Sequence, residues 1–165
     1  MTKNSKTKQP EIIIDTSTFF SALYNPWGNE ALLFTLADNH FCFLHILDYV
    51  LQELREVFKR KHINQHLIND LLDTYNNITL AELESVTTIE LELAKKVIKD
   101  PQDRPIFIFA YRRIHQNKDS FLVSGDKGFF IKPVQEQLYH HVLHTKDAIK
   151  KITQKHLLRF NYKKL

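Results

Sequence analysis

Five acids stand where a carboxylate at the end or edge of an element could do chemistry: Asp15, Glu53, Asp100, Asp103 and Asp126. Asp15 directly follows Ile12, Ile13 and Ile14, and is itself followed by the hydroxyls of Thr16, Ser17 and Thr18. Carboxylates gathered at one point raise one another's pKa unless a cation sits among them. An all-oxygen donor set, with no cysteine cluster and no spaced histidine pair, suits Mg2+ or Mn2+ rather than zinc. Such an ion keeps several waters and bridges phosphate readily. It can activate water for phosphodiester hydrolysis, and two ions roughly 4 Å apart also stabilise the leaving oxygen. The hydroxyls of Thr16 and Ser124 lie beside Asp15 and Asp126 in the chain. There they would orient a carboxylate or a metal-bound water, or else make ordinary strand-end hydrogen bonds. Each acid also has a plain structural reading, Asp15 and Asp103 as helix caps and Asp126 as a turn residue.

These acids need elements that deliver them to one edge. The isoleucine run reads as a strand buried on both faces, with Asp15 just beyond its carboxyl end. A turn cluster over residues 25–29 leads to a mostly buried helix over 30–38, a second strand over 41–46 and an amphipathic helix over 48–61. On that helix the apolar stripe centres near Leu54, which places Glu53 about 100° away on the flank and Glu56 about 160° away, toward water. Residues 64–77 and 89–98 read as further helices, and 79–88 is open between a short helix and an edge strand. Pro101 and Pro105 punctuate the next boundary, so a core helix is predicted to start near Asp103. The dipole of that helix favours an anion at its start by roughly 0.3–1 kcal/mol, so Asp103 is expected to stay ionised. A third strand over 121–124 leads to Asp126, a last strand spans 142–144, and a C-terminal helix starts near Lys146. Strands alternating with helices indicate a parallel sheet covered on both faces, with right-handed crossovers bringing the acids to one edge.

The composition, 43% hydrophobic and 25% charged over 165 residues, is that of one globular domain. The single cysteine, Cys42, excludes an internal disulfide framework and points to a reducing compartment. Residues 1–10 are polar and basic, without the apolar core of a signal peptide, and are expected to be disordered. No apolar run approaches the roughly 20 residues of a membrane span, so the cytoplasm is the expected location and no membrane partner is expected. Net charge is +4. Lys150, Lys151, Lys155, Arg159, Lys163 and Lys164 lie between Ala148 and Leu165 with no acid after Asp147. They are either a solvated tail or a set of phosphate contacts for RNA, with Lys150, Lys151, Lys155 and Arg159 the named candidates.

Four segments, IIIDTS (12–17), LQELREVF (51–58), KDPQDRPI (99–106) and LVSGDK (122–127), resemble in order and spacing the PIN domain family. The branch they are most similar to is that of the VapC-like toxins of toxin–antitoxin pairs. The resemblance covers roughly residues 11–150 and implies a three-layer α/β/α fold with a mainly parallel central sheet. It also implies an endoribonuclease dependent on Mg2+ or Mn2+. The family's acidic quartet falls on Asp15, Glu53, Asp103 and Asp126, with Asp15, Asp103, Asp126 and the accessory Asp100 on the metal. The implied partners are an RNA substrate, an antitoxin that occludes the acidic pocket, and a second copy of the chain in a homodimer. The expected organisation is thus a disordered segment over 1–10, a nuclease domain over 11–150 and a basic extension over 151–165. Two positions depart from the family: Ser17 where many members carry Asn, and Gly128 where many carry a further Asp, which puts one metal contact in doubt. The alternative is a non-catalytic PIN-like module that binds RNA or docks a protein, its acids serving as caps. A phosphatase of the haloacid dehalogenase class, with its Asp-x-Asp start, is disfavoured by Ser17.

Overall fold

In the computed structural model the described residues run from 9 to 162, with side chains to Leu157. β1 (Glu11–Ile14) is buried at every position. Three β-branched residues in succession suit a strand covered on both faces, and each such side chain contributes about 1.5–3 kcal/mol when fully buried. After β1 come α1 (Thr16–Tyr24), α2 (Asn29–Asp38), β2 (Phe43–Leu47), α3 (Asp48–Arg60) and α4 (His66–Thr74). β3 (Ile78–Ala81), α5 (Thr88–Val97), a 3-10 turn at Pro101–Asp103 and α6 (Arg104–Gln116) follow. β4 (Ser120–Val123), a second 3-10 turn at Lys127–Phe130, α7 (Lys132–Gln137), β5 (Val142–Leu143) and α8 (Thr145–Tyr162) complete the described chain.

The five strands form one sheet in the order β3-β2-β1-β4-β5, and every pairing is parallel. Side chains alternate across the sheet, which assigns the layers. Glu11 on one face meets Arg113 of α6, while Lys151 of α8 stands over Phe121, which pairs with Ile12 and so faces the other way. The three-layer α/β/α arrangement follows, with α6 on one side and α8 on the other.

The segment open between helix and strand resolves into the short edge strand β3, followed by irregular chain up to α5. A capping box between Thr87 and Glu90 starts α5, and Arg112 of α6 grips the Glu90 carboxylate at 2.6 Å. Two boundaries differ from the expected organisation. Residues 1–8 lie outside the described residues, but Pro10 is buried and its carbonyl accepts the Phe43 N–H at 2.9 Å, so the ordered fold begins before residue 11. At the other end α8 runs unbroken through position 150, with Ile152 in the hydrophobic core, because its apolar residues continue to face the sheet. Among the described residues no helix is long and apolar enough to cross a membrane.

Candidate active site

The strand order reverses direction between β1 and β4, and the crevice beyond the carboxyl ends of two such strands is where open α/β sheets bind ligands. Asp15 and Ser124 close those two strands. The Asp15 carboxylate is 3% exposed and accepts the Thr18 N–H at 2.8 Å, which caps α1. Ser17 Oγ stands 2.9 Å from its second oxygen, and Ser124 Oγ donates to that same oxygen. Ser124 Oγ also accepts the Asp126 N–H at 2.9 Å, so one buried hydroxyl ties the end of β1 to the turn after β4.

Glu53 lies half-buried on the flank of α3, where Thr16 Oγ1 donates to its carboxylate, and Glu56 is exposed. Asp100 accepts the Gln102 N–H at 2.9 Å and caps the first 3-10 turn, while Asp126 accepts the Gly128 N–H at 2.6 Å and caps the second. Asp103 is different. It precedes α6 in helical conformation and makes no side-chain capping bond, so the cap reading fails at this position. Burial pushes the Asp103 carboxyl up to about 7, followed by the charges of Asp126, Asp100, Asp15 and Glu53. The charges of the other four acids named from the chain thus all reach Asp103. The helix dipole does not keep Asp103 in the usual carboxylate range: it offers at most about 2 kcal/mol at a partly buried site, and each step of one in pKa is 1.36 kcal/mol.

A family model described as a PIN domain matches residues 11–128. The chain belongs to the PIN domain family. Its fold is similar to that in the crystal structure of VapBC2 from Rickettsia felis bound to a DNA fragment from their promoter. That likeness covers 75% of this chain and 95% of the other, with 14% identity and a TM-score of 0.53, and at such identity it speaks of fold alone. No curated protein matches the chain in sequence.

In this PIN domain the acids fit a hard divalent cation in donor type and charge: they offer oxygen donors only, and Asp103, raised first by burial, is raised further by the other four. They do not form a ready cage: among the described residues no group of three or more His, Cys, Asp or Glu is placed to hold a metal ion. Two of the acids are engaged in local hydrogen bonds. Asp15 is occupied by Ser17, Ser124 and the Thr18 N–H, and Asp126 by the Gly128 N–H. A cation that keeps several waters, as Mg2+ does, needs only one or two direct carboxylates. Gly128 sits between two of the acids: a Cβ there would lie 3.1 Å from Asp126 Oδ1 and 4.0 Å from Asp103 Oδ2.

Tyr49 was missed by the sequence reading. Its phenol is raised by burial and then by Glu53, Asp100, Asp103 and Glu56, so it stands on the wall of the acidic site. The available signal was its position four residues before Glu53, on the same face of α3. The basic residues of α8 lie elsewhere. Lys155 is ion-paired to Asp119 at 2.6 Å, and Lys151 stands 4.8 Å over the Phe121 ring. Asp119 precedes β4 and Ser124 follows it, so at about 3.3 Å per residue Lys155 is anchored roughly 16 Å from the carboxyl edge. Lys150 is exposed on the same helix. The Arg159 side chain, Lys163 and Lys164 lie outside the described residues. The structure thus does not bring Lys151 and Lys155 to the acids, because a helix that leaves β5 at the carboxyl edge must run back along the sheet.

Proposed function

We propose that this PIN domain is an endoribonuclease dependent on Mg2+ or Mn2+, and the toxin of a type II toxin–antitoxin pair working in the cytoplasm. The observation that carries the reading is the carboxyl of Asp103, raised to about 7 by burial and by four other acids at the carboxyl edge of the sheet. A cluster kept at that electrostatic cost has a use for a cation. Asp15, Asp103, Asp126 and Asp100 are the residues that would hold it. When bound, the ion supplies an activated water and charge stabilisation for phosphodiester hydrolysis. The chain's own part is positional. Ser17, Ser124 and the Thr18 N–H fix the Asp15 carboxylate, and Thr16 Oγ1 orients Glu53 at the rim, where that carboxylate takes the proton of the attacking water. We further assign the chain a protein partner, an antitoxin covering the acidic mouth, and a homodimer as the accompanying assembly; the fold it shares with VapBC2 supports the first of these.

A second reading, a non-catalytic RNA-binding or docking module, draws on the capping bonds of Asp15, Asp100 and Asp126. Purified protein incubated with total RNA and Mg2+, Mn2+ or chelator separates the two. The nuclease reading requires metal-dependent cleavage that Asp103→Asn abolishes while the fold persists. RNA left intact under both metals, by a folded protein free of antitoxin, returns the acids to a capping role.

A further inference from the structure

We infer that the RNA strand leaves the acidic site along α3, with its backbone phosphates held by Lys59 and Arg60 in the cleft between α3 and the first 3-10 turn. This rests on the nuclease reading and names how the substrate would be held. A cleft of about 570 Å³ is lined by Glu53, Glu56, Lys59, Arg60 and Gln102. Its two walls are the elements that carry Glu53 and the Asp100–Asp103 pair, so it is continuous with the acidic cluster. Arg60 follows Glu53 by seven residues, which on a helix places it within about 20° of the same face and roughly 10.5 Å further along. That is a step of a nucleotide or two along an extended strand.

A polyanion approaching five carboxylates needs positive charge close by, and the cations of this protein differ in what they are free to do. Among the lysines and arginines of the described residues, the ion pairs occupy Lys95, Arg112, Arg113, Lys132 and Lys155, and use neither Lys59 nor Arg60. Both of these are exposed. Glu56 stands in the same wall, and the two cations together with the Gln102 amide offset it toward a bound phosphate. Small-molecule pockets are lined mainly by apolar groups; this cleft is lined by charged and amide side chains, as suits a solvated backbone rather than a buried ligand. The plain alternative is that Lys59 and Arg60 merely complement the dipole at the end of α3.

The test compares wild type with Lys59→Gln/Arg60→Gln and with Lys150→Gln/Lys151→Gln in cleavage of a single-stranded RNA over a salt series. Each phosphate contact to a single strand contributes about 0.7 to the log–log salt slope, so losing two flattens it by about 1.4 and weakens binding roughly 25-fold at 0.1 M salt. The expected result is that rise in KM with kcat held in Lys59→Gln/Arg60→Gln, and no change in the α8 pair. A dipole role would shift thermal stability and leave the slope alone, which overturns the inference. Wild type that cuts RNA while Lys59→Gln/Arg60→Gln keeps its KM and slope also overturns it, and leaves the nuclease reading standing. Wild type that neither binds nor cuts RNA ends both. Should Lys59→Gln/Arg60→Gln fold poorly, photocrosslinking of wild type to 4-thiouridine RNA decides. Adducts on peptides from α3 and the 3-10 turn support the path, and adducts confined to α8 refute it.

Discussion

Replacing Asp103 by Asn should stabilise the metal-free protein while removing its activity. The carboxyl rises from 3.8 in the unfolded chain to about 7 in the fold, burial first and the neighbouring acids after it. The folded chain therefore binds this proton more tightly than the unfolded chain. Below pH 3.8 both states hold the proton and there is no penalty; stability falls as pH climbs toward 7, and above that the penalty is complete. At 1.36 kcal/mol for each pKa step the ceiling is about 4 kcal/mol, which solvent screening at a half-buried site reduces to about 1–2 kcal/mol. In a chain of this size that corresponds to roughly 2–8 °C in Tm. Thermal unfolding in chelator between pH 4 and 8 should show Asp103→Asn melting above wild type at pH 8, with the gap closing at the acid end. Added Mn2+ should raise wild type more than the variant, since a ligand that binds only the fold stabilises it by mass action. A variant that melts below wild type at pH 8 in chelator would mean the carboxylate is making favourable contacts there, and the crowding argument would be wrong.

Two other substitutions probe the same centre. Ser124→Ala removes the buried hydroxyl shared by Asp15 and the Asp126 N–H, and should cost about 1–3 kcal/mol in urea unfolding together with most of the activity; a loss too small to measure would show that water replaces it. Gly128→Asp places a further carboxylate beside Asp126 and Asp103, and calorimetry should find tighter Mn2+ binding than in wild type; unchanged affinity would mean that the new side chain points away.

The chain carried much of this in plain view, and what it hid was hidden for physical reasons. Ile12 to Ile14 announce a strand covered on both faces, and the stripe on α3 separates Glu53 from Glu56, because burial writes itself into residue type. β3 left no such mark: it is a half-exposed edge strand with neither a continuous apolar run nor a clean alternation. The helix expected over 64–77 shrinks to His66–Thr74, where Tyr75 turns extended and its ring packs against Phe34. Asp103 looked like a cap by position, and only the geometry separates it from Asp15, Asp100 and Asp126, which do cap. The cations of α8 drew attention as a list, but a list does not say which way a helix runs. Lys59 and Arg60, ordinary residues in a last helical turn, acquire interest only from the cleft beside them.

The bond from Ser124 to Asp15 spans 109 positions, and so does that from Ser120 to Glu11. The central strand is made first and finds its second neighbour last. At a translation rate of about 5–20 residues per second, that interval lasts roughly 5–20 s. Throughout it the nascent chain displays an isoleucine strand with one edge unpaired, a state that invites chaperones or a mistaken partner. It also carries Asp15 and Glu53 without Ser124 or Asp126, so the acidic centre cannot close. A polypeptide abandoned part-way by its ribosome therefore lacks a closed acidic centre, and whatever hydrolytic capacity the protein has switches on only as the sheet is zipped shut.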